Sequence, residues 1–291
     1  MLLADLLRGC AVMGQVLELL ESTVEVDGMR VHYCRAGTGP AMVLVHGLVG
    51  SARNWDQNIH ELARYRTVYA LDLMNMGESD RVAGLDAGLE ATADRIARCM
   101  DVLGIESADI GGHSHGGAIS MMLAARHPQR VEKLVLFAPA NPFCEAGRGL
   151  IGFYNSPLGT WVARRIPVMP RAVHDWAFKR MYGDRSRAQE DALDGYTQGL
   201  NAESVEHVLR IVRRWTDDMA VLRNRLVEVA GRPTLLIWGD RDRAVGVGSG
   251  QRLAELLGAK MMVLPGVGHL PFAEMPQVCN AAVGDWLRAT S

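Results

Sequence analysis

The sequence predicts an α/β fold: a mostly parallel sheet flanked by helices, with a helical segment inserted late in the chain. Three observations predict it. Short apolar runs without sustained alternation recur along the chain, as strands buried on both faces of a parallel sheet do. Helical patterns lie between most of these runs and after the last, which implies crossover connections. From about Asn141 to about Ala220 the alternation stops, and roughly eighty residues with helical segments but no convincing strand are too long for a plain loop.

The first elements differ from the rest. Leu2, Leu3, Leu6, Leu7, Cys10, Met13, Val16, Leu17 and Leu20 recur every three or four positions and predict an amphipathic helix over residues 1–21. Asp5, Arg8 and Glu18 interrupt the apolar run and no basic residue precedes it, so a signal peptide is disfavoured. The helix is expected to pack on its own domain or to form a homodimer contact. Next come two β-rich runs, Thr23 to Val26 and Met29 to Cys34, joined by Asp27-Gly28, a dipeptide suited to a tight hairpin. Buried strands follow at Ala41 to Val45, Thr67 to Leu71, Ala108 to Gly111, Val131 to Phe137, Pro233 to Trp238 and Lys260 to Leu264. Helices are expected over Asn54 to Ala63, Glu90 to Leu103, Gly117 to Arg126, Ser249 to Leu257 and Gln277 to Leu287. The expected division is thus a helix over 1–21, a core of 22–140 plus 221–291, and a helical subdomain over 141–220. That subdomain carries Phe153, Tyr154, Trp161, Trp176, Phe178 and Tyr182, read first as its own small core.

Bulk properties narrow the function. The 291 residues hold 31 Lys plus Arg against 33 Asp plus Glu, a net charge of −2 that gives nucleic acid nothing to attract it. Five scattered cysteines, an odd number without a CxxC pair, read as reduced thiols in a cytoplasmic protein. No His or Cys stands at metal-ligand spacing, so neither metal nor cofactor is expected, and no transmembrane segment is seen.

The chemistry centres on Gly112-His113-Ser114-His115-Gly116-Gly117, between a strand-like run and a helical pattern. A serine on such a sharp turn stands at the end of the sheet, and glycines two residues to either side let strand and helix cross closely. A neutral serine needs a base. Of nine histidines, His269 follows a strand on the glycine-rich loop Gly266-Val267-Gly268, whereas His32, His60, His127, His174 and His207 fall on regular patterns. The base needs an acid to fix its tautomer. Asp240 and Asp242 both follow the strand ending at Trp238. Asp242 is preferred, because a first residue after a strand is used in turning the chain, where Asp240 can bond its own backbone. An oxyanion would be held by the amides of His115, immediately after the serine, and Leu48, in His46-Gly47-Leu48. His46 is then structural. A zinc site at His113 and His115 is disfavoured, because side chains flanking a sharp turn diverge and no third ligand is near.

These motifs, with Leu71-Asp72-Leu73-Met74-Asn75-Met76-Gly77-Glu78-Ser79 and the run from His269 to Pro276, resemble the α/β-hydrolase superfamily over essentially the whole chain. Their order, Ser then Asp then His, is the family order. The resemblance implies an eight-stranded sheet, a helical cap inserted after the sixth strand, and a site between cap and sheet. Ser114 stands where dehalogenase and epoxide hydrolase relatives carry aspartate, and Leu270 where meta-cleavage carbon–carbon hydrolases carry tryptophan. His115 replaces a common methionine, and the segment after Asp242 lacks its usual proline. Capped microbial carboxylesterases are the most similar group. The expected function is hydrolysis of small to medium apolar esters through an acyl-enzyme. Lactone, amide or carbon–carbon hydrolysis, perhydrolysis, and a non-catalytic ligand-binding or accessory role are the alternatives.

Overall fold

In the computed structural model, which describes residues 18–145, 148–197 and 199–290, eight strands form one sheet. It opens with the antiparallel hairpin of β1 (Leu20–Val26) and β2 (Met29–Ala36), closed by Val26 opposite Met29. Asp27 and Gly28 both take positive φ, 53° and 75°, as a two-residue hairpin turn requires. One expectation is corrected here. Leu20 and Glu21, assigned to a helix over 1–21, belong to β1, because they pair with Arg35 and Cys34 as β2 runs on to Ala36. Residues 1–17 of that expected helix lie outside the described residues.

Six further strands follow: β3 (Ala41–Val45), β4 (Thr67–Leu71), β5 (Ala108–His113), β6 (Val131–Phe137), β7 (Thr234–Gly239) and β8 (Lys260–Leu264). The order across the sheet is β1-β2-β4-β3-β5-β6-β7-β8. β2 runs antiparallel to β4, and every pair from there onward is parallel. Alternating side chains of the central strands enter two separate cores. Val43, Val45, Ile110, Leu134 and Leu136 pack against α2 (Leu89–Val102) and α3 (His115–Arg126). Met42, Leu44, Val135, Phe137 and Ile237 pack on the other face against α1 (Asp56–Leu62) and the last helix. Full burial of one such side chain stabilises by about 1.5–3 kcal/mol, so burial on both faces explains why these strands read as unbroken apolar runs.

Between β6 and β7 the described residues contain helices and no strand: α4 (Arg148–Asn155), α5 (Pro157–Ala163), α6 (Arg171–Lys179), α7 (Glu190–Thr197) and α8 (Ala202–Val229). α8 continues past residue 220 because Met219, Leu222, Leu226 and Val229 recur at helical spacing and pack in the core that holds α3. After β7 come α9 (Val247–Leu257), the short α10 (Pro271–Glu274) and α11 (Pro276–Ala289). No helix among the described residues is long and apolar enough to cross a membrane. The loops leaving the carboxyl ends of β3, β5, β7 and β8 converge, as expected where the order of a parallel sheet reverses direction.

Candidate active site

Ser114 stands alone between β5 and α3, with φ 50° and ψ −118°. A non-glycine residue there stores about 1–3 kcal/mol of strain, which the surroundings must hold. Its N–H donates to the Phe137 carbonyl at 3.1 Å, and its own carbonyl accepts from the amides of Gly117, Ala118 and Ala140 at 3.0, 3.2 and 2.8 Å. The flanking glycines are needed for contact. A Cβ on Gly116 would lie 2.3 Å from the Val45 carbonyl oxygen, and one on Gly112 would lie 2.4 Å from the Ser120 hydroxyl.

His269 and Asp242 meet on loops that leave neighbouring strands. The His269 Nδ1–H donates to Asp242 Oδ2 at 2.7 Å, with both side chains buried. Asp242 Oδ1 accepts from the amides of Ala244 and Val245 at 2.8 and 2.9 Å, which fixes the carboxylate before the histidine binds it. The expected turn at Asp240 is a correction. Asp240 bonds the Gly266 amide at 2.7 Å, stapling one loop to the other, while Asp242 is the aspartate that bonds the backbone just after itself. The geometric cause is length of reach. Asp240 is still beside β8, where Gly266 offers its N–H, whereas Asp242 has entered the turn.

Two further groups hold the His269 loop. His113 Nε2–H donates to the His269 carbonyl at 3.0 Å, and burial, with the neighbouring His269 second, pushes the His113 imidazole well below its ordinary range. His113 is therefore a neutral donor. On the other side, the His269 N–H donates to the Met181 carbonyl at 2.7 Å. Glu274, buried in α10, accepts from Gly268 and Gly183 through Oε2 at 2.8 and 2.9 Å and from Asp184 through Oε1 at 2.9 Å. A single carboxylate thus ties the histidine loop to the segment after α6. Gly183 and Gly268 permit this approach, because a Cβ on either would lie 2.2 Å from a carbonyl oxygen of the other segment.

The Leu48 and His115 amides donate to no backbone acceptor among the described residues; Leu48 lies on the loop after β3 and His115 is the first residue of α3, directly after Ser114. His46 orients the first. The Leu73 amide donates to His46 Nε2 at 3.0 Å, so the proton sits on Nδ1, which donates to the Gly47 carbonyl at 2.8 Å. In a trans peptide C=O and N–H point in opposite directions, so fixing the Gly47 oxygen fixes the Leu48 N–H. Burial lowers the His46 pKa, which keeps this tautomer neutral. Asp72 braces the same region from behind. Its carboxylate accepts from Ala52, Glu78 and His32 at 2.6, 2.7 and 2.9 Å. Burial opposes its ionisation, but those bonds outweigh burial and hold its pKa below the usual range.

Ser114 and His269 line a common cavity of about 340 Å³. Its walls are apolar, with Leu48 and Val245 from the core and Ile151, Leu209, Val212 and Trp215 from the helices after β6. Among the described residues that line it there is no Asp, Glu, Lys or Arg. His115 does not join His113: its ring lies against Trp215 with centroids 5.6 Å apart, and burial pushes its pKa down to about 3. No group of three or more His, Cys, Asp or Glu side chains among the described residues is placed to hold a metal ion.

Comparison with known proteins agrees with this architecture. The model of the alpha/beta hydrolase fold family matches residues 40–276. The dihydrolipoyllysine-residue acetyltransferase component of the acetoin cleaving system of Pseudomonas putida is 32% identical over 270 residues, covering 91% of this chain and 68% of that protein. The 2-hydroxymuconate semialdehyde hydrolase of a Pseudomonas species is 28% identical over 266 residues, 89% of this chain and 91% of the other. The 2-hydroxy-6-oxo-2,4-heptadienoate hydrolase of Pseudomonas putida is 26% identical over 270 residues, 91% and 95% of the two. Among solved structures, the meta-cleavage product hydrolase of Pseudomonas fluorescens superposes with a TM-score of 0.79 at 24% identity, covering 93% of this chain and 98% of that one.

Proposed function

The chain belongs to the alpha/beta hydrolase fold family, and from that premise we propose that it is a serine hydrolase cleaving neutral carboxylic esters of small to medium apolar substrates through an acyl-enzyme. Ser114 is the nucleophile, His269 the base, and Asp242 the acid that holds the imidazole by Nδ1 and stabilises its protonated form. His269 Nε2 takes the hydroxyl proton as the Ser114 oxygen attacks the ester carbonyl carbon. The carbonyl electrons move to oxygen, and the Leu48 and His115 amides hold the resulting anion. Collapse expels the alcohol, which takes its proton from His269. Water, deprotonated by the same histidine, then attacks the acyl carbon and frees Ser114 and the carboxylic acid. The helices over 141–220, extended by the rest of α8, act as a cap that closes the cavity. Reduced thiols fit a cytoplasmic protein: burial pushes Cys34, Cys99 and Cys279 up to about 12.

The observation that carries the ester reading is the uncharged cavity wall. The heptadienoate relative acts, by its name, on a carboxylate. An unpaired carboxylate buried in an apolar cavity loses several kcal/mol of hydration, and the described wall offers no cation to replace it. A neutral ester needs none. The test is turnover of p-nitrophenyl esters of short, medium and long acyl chains, beside a 2-hydroxy-6-oxo-dienoate, by the wild type and by Ser114→Ala. Ester turnover that falls at least about a thousandfold in the alanine variant is expected, with the chain-length optimum sizing the cavity. Turnover of the dienoate alone would replace ester hydrolysis by carbon–carbon cleavage, and turnover of neither would remove both.

A further inference from the structure

The aromatic residues after β6 do not all form a core. Trp161 and Trp176 are 53% and 60% exposed, and Phe153, Leu158, Val168 and Val173 are exposed beside them in sequence. These six are half of the exposed large hydrophobic side chains among the described residues. They follow a repeated pattern. In α5, Leu158 and Trp161 stand three positions apart, with Arg165 four positions further on and just past the helix, and α6 repeats the spacing with Val173, Trp176 and its C-terminal capping residue Arg180. That spacing puts Leu158 with Trp161, and Val173 with Trp176, on one face of their helices. In both, the guanidinium lies over the indole, at 4.0 Å for Arg165 on Trp161 and 4.9 Å for Arg180 on Trp176. The opposite side of the same region faces the cavity, through Ile151, Tyr154, Ala163 and Ile166.

Charge sets what this face can meet. Residues 148–187 hold eight Arg or Lys and two Asp, a net charge of +6 in a chain whose total is −2, so the remainder carries −8. Arg164 and Arg171 pair with Glu206 and Asp194 at 2.5 Å. Arg165, Lys179, Arg180 and Arg185 have no carboxylate partner among the described residues. A second copy of this face would bring two like-charged surfaces together, because a twofold contact opposes a patch to itself. Nucleic acid would satisfy the arginines but not Leu158, Val168 and Val173. An anionic lipid surface satisfies both, with arginines at the headgroups and indoles and aliphatic side chains at the acyl boundary.

We propose that the outer face of α5 and α6 docks on anionic membrane surfaces, with Trp161 and Trp176 inserted at the lipid interface and Arg165 and Arg180 on the headgroups. Binding of this kind is reversible and peripheral. It holds whether or not Ser114 cleaves esters, so its failure is distinct from failure of the esterase reading.

The experiment is co-sedimentation of the full chain with vesicles of phosphatidylcholine alone and of phosphatidylcholine mixed with phosphatidylglycerol. The mixed vesicles are expected to carry the protein down at low salt, less at high salt, and the neutral ones to leave it in solution. Trp161→Ala with Trp176→Ala should lower the partition at least about tenfold, and Arg165→Gln with Arg180→Gln should lower it and flatten its salt dependence. Leu256→Ala, an exposed residue of α9, should change nothing. A blue shift of indole emission on the mixed vesicles, lost in the double tryptophan variant, provides a second readout. No sedimentation, or sedimentation indifferent to the tryptophans, overturns the proposal. So does a smaller solution mass of the tryptophan variant than of the wild type, which would make the face a contact between copies.

Discussion

His46 shows how one residue's protonation aims another residue's amide. Its two nitrogens take opposite roles, accepting from Leu73 and donating to Gly47, and only the neutral ring can do both. The Leu48 N–H therefore points where it does because a buried imidazole at 2.8 Å, together with the Gly50 amide at 3.2 Å, holds the oxygen of the same peptide. His46→Leu is expected to lower kcat on an ester by roughly tenfold to a hundredfold with a small change in KM, since an oxyanion donor acts in the transition state. His46→Gln, which keeps a donor and an acceptor, should recover part of the loss. Equal kcat in wild type and His46→Leu would show that the Leu48 amide needs no such brace. Ser114 and His269 were legible in the sequence because each sits in a local pattern: glycines beside a strand end. Asp242 was legible for a less secure reason, since the turn bond used to set Asp240 aside belongs to Asp242 itself. The roles of His46 and His113 were not legible. They depend on partners 27 and 156 positions away, which no spacing rule connects.

At the scale of elements, the histidine loop is clamped between two others. β7 reaches it through Asp242 and through the Arg241 N–H on the Val267 carbonyl at 2.9 Å, and the segment after α6 reaches it through Met181 and Glu274. The helices after β6 and the His269 loop are therefore mechanically joined. Glu274→Gln keeps the size of the side chain but turns one acceptor into a donor facing N–H groups. Hydrogen bonds to a buried charge are worth about 1.5–3 kcal/mol each, and a variant that spoils one should lower Tm by several degrees. Its activity should fall with it, through kcat rather than KM, because His269 loses its fixed position. An unchanged kcat beside a lowered Tm would mean that Glu274 serves folding alone. The strands were legible to within a few residues because burial on both faces writes continuous apolar runs. The ends were harder: Leu20 follows the helical spacing of the residues before it but is claimed by pairing with β2. α8 likewise crosses from the inserted helices into the core, where no change in its pattern marks the boundary.

For the whole molecule, buried histidines set the response to acid, and they act with two signs. Burial lowers the pKa of His46, His113, His115 and His207, the last two to about 3 and about 4. In the unfolded chain each titrates near about 6.5, so below that pH the unfolded state binds protons that the native state refuses. Their contribution is complete above about pH 6.5 and is lost as pH falls. His32 runs the other way. The hydrogen bond to Asp72 raises its pKa against the effect of burial, so its contribution is full below about 6.5 and is lost as pH rises through the folded value. Asp218 acts on the same side as His32, because burial pushes its carboxyl up to about 6 and the native state takes up its proton as pH falls. Four groups still outweigh two, and the free energy of unfolding should decrease from about pH 7 to about pH 5. His115→Met isolates one of the four, because methionine fills the buried space with a flexible side chain that takes no proton. Urea unfolding at several pH values between those limits should give the variant a slope shallower than wild type by about 1 kcal/mol per pH unit on average, approaching about 1.4 toward about pH 5. Identical slopes would mean that His115 takes up its proton in the native state, against the burial that surrounds it.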